Sequence, residues 1–209
     1  VSEPTVEMTF STNDSPFSGK EGKFVTSTKI DERLYREIQK DVSLRVERIG
    51  AGEEWVVSGR GELHLGILIE NMRREGFEFQ VARPQAIVKE IDGINCEPYE
   101  YCQIDVPNES IGSVIELLGT RGGIMENMDS GFTQTRLIYT IPSRGLIGLT
   151  TDFMTASKGY GSLSHYFLEY RPIENISVGE RKLGVLVASQ SGKSSSYGIG
   201  QIEDRGILF

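Results

Sequence analysis

The chain predicts an α+β fold: two tandem βαββαβ units followed by the start of a β-rich C-terminal domain. Three observations predict it. Over residues 1–83 the apolar period switches in the order strand, helix, strand, strand, helix, strand. The same order recurs over residues 84–170. From residue 171 the composition turns to Gly and Ser with only short apolar runs. The βαββαβ order is the split βαβ, or ferredoxin-like, pattern. Identity between the two units is low, so the repeat is architectural.

In the first unit, Val6, Met8 and Phe10 alternate with polar neighbours, as a half-buried strand requires. A long Gly/Ser/Lys/Asn loop runs on to about Val25. Ile30, Leu34 and Ile38 mark a helix of about three turns. Val42, Leu44 and Val46 predict a strand over 42–49, and Gly50-Ala51-Gly52 turns the chain into the strand Trp55-Val56-Val57-Ser58. Glu62 then opens a helix, its charge matched to the positive helix end. Leu65, Leu68, Ile69 and Met72 give that helix one apolar stripe. Arg73 and Arg74 suit its last turn, Gly76 ends it, and Phe77–Val81 alternates as a closing strand.

The second unit repeats the plan. Gln85–Ile91 reads as a strand with a turn at Asp92-Gly93, and Tyr101–Val106 as a strand continuous with the piece before it. Ile111, Val114, Ile115 and Leu118 mark a helix that ends at Gly119–Gly123. Met125–Met128 and Thr135–Ile141 pair as a hairpin around Asp129-Ser130-Gly131. Pro142 opens a helix with Leu146, Leu149 and Phe153 inward, and Ser162–Tyr170 closes the sheet.

With 209 residues, 38% hydrophobic and 25% charged, the chain has an ordinary globular composition and enough length for two cores. It contains no apolar run of membrane-spanning length, and no signal peptide opens it. The start at Val1 and the apolar end at Phe209 read as a segment of a longer protein. The net charge of −8 argues against a general nucleic-acid binder. Its distribution is uneven: −3 over residues 1–83, −6 over 84–170 and +1 over 171–209. Any RNA contact must therefore use local basic patches. Cys96 and Cys102 read as free thiols, and with only His64 and His165 beside them a zinc site has little support. Gly192-Lys193-Ser194 is not a phosphate loop, because Val187 stands where that motif needs its first glycine and no helix pattern follows. No catalytic constellation is present, and no cofactor is expected in this chain.

Three motifs carry a resemblance. Ser58-Gly59-Arg60-Gly61-Glu62-Leu63-His64-Leu65 resembles the signature of the third domain of elongation factor G-type translational GTPases. The wider wording of Asn13–Thr26, Ser58–Phe77 and Pro142-Ser143-Arg144-Gly145-Leu146-Ile147-Gly148 resembles the BipA/TypA branch, whose members bind ribosomes. The three separated motifs stand in the right order, and the resemblance runs over essentially the whole chain. The resemblance implies an elongation factor G domain III-like unit at 1–83, a domain V-like unit at 84–170 and a partial C-terminal domain at 171–209. It also implies a preceding domain that holds GTP and Mg²⁺.

The candidate contact residues are basic. Lys20 and Lys23 lie in the long loop, where retention of such a loop points to binding. Arg33 and Arg36 share a helix face, although Glu32 and Glu37 interleave as on any solvated helix. Arg60 is presented between two glycines, while His64 reads as a packed or capping side chain. Arg144 stands at a helix N-terminus, where a cation calls for a partner, either phosphate or an acidic neighbouring domain; Ser143 reads as the helix cap. Lys158, beside Tyr160, follows that helix, and Lys193 sits in a turn that is either plain surface or RNA-facing.

The resemblance implies a cytoplasmic ribosome-docking segment with the bacterial ribosome and its own GTP-binding domain as partners. The first unit would touch the small subunit and pass contacts to the GTP-binding domain. The second would reach large-subunit RNA near the stalk base. The family role is in ribosome function and assembly under stress, including cold. Two other readings stand beside it: a segment of an elongation factor G-type translocase, and a tandem ferredoxin-like module binding a small metabolite.

Overall fold

The computed structural model describes residues 3–12, 27–50 and 53–173. The expectations for the 13–26 loop and for the tail beyond residue 173, with Lys20, Lys23 and Lys193, lie outside the described residues. The chain divides into two compact units, one up to Pro84 and one from Gln85.

The first unit contains β1 (Val6–Thr12), α1 (Ser27–Lys40), β2 (Arg45–Ile49), β3 (Glu54–Gly59), α2 (Glu62–Arg74) and β4 (Phe79–Val81). Its antiparallel sheet has the order β2-β3-β1-β4, the ferredoxin-like arrangement. In the β1–β3 pair Met8 lies opposite Val57 and Phe10 opposite Trp55. All four are buried, together with Ile30 and Leu34 of α1 and Leu65, Leu68, Ile69 and Met72 of α2. Phe10 stacks on Phe79 at 5.1 Å between centroids. Trp55 is fully buried, and its indole Nε1–H is satisfied by donating to Asp31 at 2.9 Å.

The strand expected over 42–49 begins only at Arg45. Asp41 Oδ1 accepts from the Ser43 amide at 3.0 Å and its hydroxyl at 2.7 Å, and Leu44 N–H returns to Asp41 O. That local turn outcompetes the ladder and leaves Val42 86% exposed. Helix α2 ends as its sequence predicts. Gly76, at φ +102°, follows the last turn, Phe77 N–H reaches Met72 O and Gly76 N–H reaches Arg73 O, a Schellman closure.

The second unit opens with the short strands β5 (Gln85–Ala86) and β6 (Lys89–Ile91). It continues with β7 (Ile94–Pro107), a 3₁₀ turn at Asn108–Ser110, α3 (Ile111–Thr120), β8 (Ile124–Ser130), β9 (Gln134–Pro142), α4 (Ser143–Leu146), α5 (Leu149–Ala156) and β10 (Ser162–Pro172). The sheet order β10-β7-β9-β8 repeats that of the first unit. Strands β6 and β7 form a hairpin across Asp92 and Gly93, both at positive φ, as a two-residue turn of this kind demands. The β7 residues Cys102, Ile104 and Val106 pack with Leu137, Tyr139 and Ile141 of β9, Val114 and Leu118 of α3, and Leu149 and Phe153 of α5. Cys96 and Cys102 are buried free thiols, and burial beside Glu100 pushes Cys102 up to about 12.

Three expectations shift here, the first being the strand expected over Gln85–Ile91, which is two short pieces, β5 and β6. The β8–β9 strands run further than expected, which moves the turn to Gly131–Thr133. The single helix expected after Pro142 is two pieces, broken at Ile147-Gly148, where Gly148 takes φ +74°. No helix of the described residues is long and apolar enough to cross a membrane.

Helix glycines test the backbone account. Gly122 closes α3 at φ +84°, whereas Gly119 lies inside the helix with open space where a Cβ would go. Gly119→Ala should raise unfolding free energy by about 0.5–1 kcal/mol, and Gly122→Ala should lower it by about 1 kcal/mol or more, in urea titrations.

Candidate functional site

The Ser58–Leu65 signature is a turn that joins β3 to α2, and each of its special residues has an internal task. A Cβ on Gly59 would lie 2.7 Å from His64 Nδ1 and 2.8 Å from Leu65 Cδ2, so the position holds glycine. His64 Nδ1 accepts the Arg60 amide at 3.0 Å, which assigns the ring proton to Nε2. Nε2 then donates to Asp41 Oδ2 at 2.6 Å. Burial opposes charge on Asp41, but donors from Ser43 and His64 outweigh it and hold the carboxyl at about 2. The histidine thus ties the start of α2 to the end of α1. It is a packed positioning residue. Arg60 projects into solvent, while its carbonyl accepts from the Thr5 hydroxyl at 3.2 Å.

The Pro142–Gly148 motif is a knot of buried polar groups. Arg121 donates to the carbonyls of Ile147 at 2.8 Å and of Gly145 and Gly148 at 3.3 Å, and to Asp152 at 3.0 Å. A Cβ on Gly145 would collide with the Arg121 carbonyl. Ser143 does not cap its helix. Its hydroxyl donates to Glu100 at 2.6 Å, and the other Glu100 oxygen meets His165 Nδ1 at 2.6 Å. Arg144 pairs with Glu97 at 2.7 Å, with side chains only 6% and 3% exposed. The partner that its awkward helix position calls for is therefore inside its own unit.

The basic candidates separate on this geometry. Arg33 is buried, with hydrogen bonds to Glu75 at 2.7 and 3.0 Å and to Glu37 at 2.7 Å. It does not share an exposed face with Arg36, which is open to solvent near Glu75. The Arg33 hydrogen bond lowers Glu75 below the usual carboxylate range. Arg33 and Arg144 are thus internal structural cations, a correction to their reading as surface contacts. Arg36, Arg60 and Lys158 remain exposed. Lys158 is held at φ +56° in the position of the α5 helix end where glycine is usual, with Gly159 N–H closing onto Met154 O. Tyr160, 75% exposed, stands two residues on.

The residues that sequence reasoning missed are Arg121, Glu97 and Glu100. Nothing local in the sequence marks them, because every one of these bonds spans more than twenty residues.

Removal of Arg144 breaks the buried Arg144–Glu97 ion pair. Arg144→Ala should cost about 3–5 kcal/mol, and adding Glu97→Gln should restore much of it, in guanidinium melts. Asp41 titrates lower in the folded chain than in the unfolded one, where it lies at about 3.9. Its stabilisation is therefore full above about pH 4 and lost as pH falls toward 2. Asp41→Asn should flatten that part of the stability–pH curve.

Comparison with known proteins matches residues 23–83 to the elongation factor G domain III family and residues 94–179 to the elongation factor G C-terminus family. The chain is 57% identical over its whole length to the large ribosomal subunit assembly factor BipA of Bacillus subtilis, covering 34% of that protein. It is 52% identical to BipA of Synechocystis and 50% identical to BipA of Escherichia coli K12, in each case over the whole chain and 35% of the relative. A crystal structure of a Thermus thermophilus protein shares the fold at 13% identity and a TM-score of 0.53, over 82% of this chain and 41% of that one. The chain spans about a third of the length of its curated relatives, and it belongs, over that span, to the elongation factor G-like BipA family.

Proposed function

We propose that this chain is the ribosome-docking part of a BipA-type translational GTPase that acts in large-subunit assembly and in stress-related ribosome function. The observation that carries the proposal is likeness to large ribosomal subunit assembly factors along the entire chain. That likeness, with the BipA-type wording of Asn13–Thr26 and Pro142–Gly148, disfavours the translocase and metabolite-module readings. GTP and Mg²⁺ would be held by a nucleotide-binding domain outside this segment, since no nucleotide motif lies within it. Its partners would be that domain, ribosomal RNA and ribosomal proteins, in the cytoplasm.

The chemistry available for RNA is a small number of exposed cations on an acidic background. Arg36, Arg60 and Lys158 are solvent-facing, and Lys20, Lys23 and Lys193 join them as candidates from the sequence. An exposed cation two residues before an exposed aromatic ring, as at Lys158 and Tyr160, offers both a phosphate contact and a stacking face. Lys158 also occupies a backbone conformation that costs an L-residue about 1 kcal/mol, a cost that glycine would remove.

Co-sedimentation of the full-length protein with purified bacterial ribosomes, with a GTP analogue bound, tests this reading. Binding should fall steeply between low and high salt, and Arg36→Ala, Arg60→Ala and Lys158→Ala should each reduce the slope by about one. Lys158→Gly should separate the two roles of that position by raising stability while weakening association. No co-sedimentation at any salt would overturn the proposal.

A further inference from the structure

We infer that the tip of the β8–β9 hairpin is a protein-docking point, at which Phe132 enters an apolar pocket on a basic partner surface. The inference rests on the ribosome-docking reading and narrows it: the partner at this tip is a ribosomal protein, and RNA is contacted elsewhere.

Phe132 is 97% exposed, the most exposed large apolar side chain among the described residues. It is also held rigidly. Asn108 Nδ2 donates to the carbonyls of Gly131 at 3.3 Å and Phe132 at 3.1 Å. The Thr135 hydroxyl donates to Asn108 Oδ1 at 2.7 Å, which fixes the amide, and Asn108 N–H reaches Thr133 O at 3.0 Å. Gly131 N–H closes the turn on Gln134 O at 2.8 Å, and a Cβ there would collide with that same oxygen. A turn needs none of this to present a side chain that merely dangles in water. A ring whose backbone is already ordered loses little freedom on binding, which is how a small contact becomes an anchor.

The charges around the tip choose the partner. Asp129 precedes the turn and is exposed, and Glu109 is exposed beside Asn108. The nearby cation, Arg136, is held by Asp105 through hydrogen bonds of 2.9 and 3.3 Å. Stacking on a nucleic-acid base would need cations tracking the phosphates, and here the field is acidic. An apolar pocket rimmed by Lys or Arg satisfies both the ring and its neighbours.

The test uses the full-length protein and purified bacterial ribosomes. Phe132→Ala should fold normally, with an unchanged thermal melt, and bind roughly ten times more weakly or worse. The charge-reversed pair Asp129→Lys with Glu109→Lys should also weaken binding. A photoreactive phenylalanine analogue at position 132 should crosslink to a ribosomal protein. Unchanged affinity in Phe132→Ala, stronger binding on charge reversal, or a crosslink to rRNA would each overturn the inference while leaving ribosome docking intact. If the unaltered protein fails to co-sediment at all, docking and this inference fall together.

Discussion

A charge buried without a partner costs several kcal/mol, and both units are arranged around meeting that constraint. Each combines an antiparallel sheet with helical connections. Charged side chains that the packing of these elements buries have to be answered from within. In the first unit Arg33 of α1 draws in Glu75 from just beyond α2 and Glu37 from its own helix. In the second, Arg144 and Arg121 meet at the α4–α5 turn and draw in Glu97 and Asp152. Arg121 also takes three carbonyls of that turn, so it holds a backbone path that would otherwise leave acceptors buried and unpaired. The two arginine centres are the polar counterparts of the two apolar cores. The first ties α1 to the end of α2; the second ties α4 to β7 and the end of α3 to the α4–α5 turn.

The elements and their order are legible in the sequence because they depend on local period. Val6, Met8 and Phe10 alternate, Leu65, Leu68, Ile69 and Met72 fall on one stripe, and Gly76 sits where a helix end needs a positive φ. What escapes the sequence is whatever depends on a distant partner. Val42 fits a strand pattern, but the carboxylate of Asp41 captures Ser43 and then His64, twenty-three residues on, and turns the chain there. Arg33 and Arg36 look equivalent by spacing, yet one is sealed against Glu75, forty-two residues away, and the other is in water. Ser143 has the chemistry of a cap and commits its hydroxyl to Glu100 instead. In each case a helix wheel or a capping rule ranks local options correctly, and a tertiary bond then outweighs them.

The same division governs the candidate site. The residues that carry the family resemblance, Gly59, His64, Ser143, Arg144 and Gly145, are also those with internal tasks: close packing, a helix tie, a buried pair. Such motifs identify the family because the fold relies on them. A guanidinium sealed against a buried carboxylate, as at Arg144, lies out of reach of phosphate, whereas Arg60 of the same signature set stays exposed. A search for contact residues therefore turns to exposed groups that the fold does not need, inside the motifs or outside them.

Lys158 and Phe132 are of that kind, and for opposite reasons. Lys158 takes a backbone conformation that glycine would occupy at lower cost, in a helix end whose closure needs only its amide. That closure gains nothing from its side chain. Phe132 is held by a set of hydrogen bonds that the hairpin does not require to turn, and its ring stands in solvent. One position carries strain and the other carries order, and neither serves the fold. A side chain whose backbone is already fixed loses little freedom when it is bound, which is why both positions are proposed as contacts.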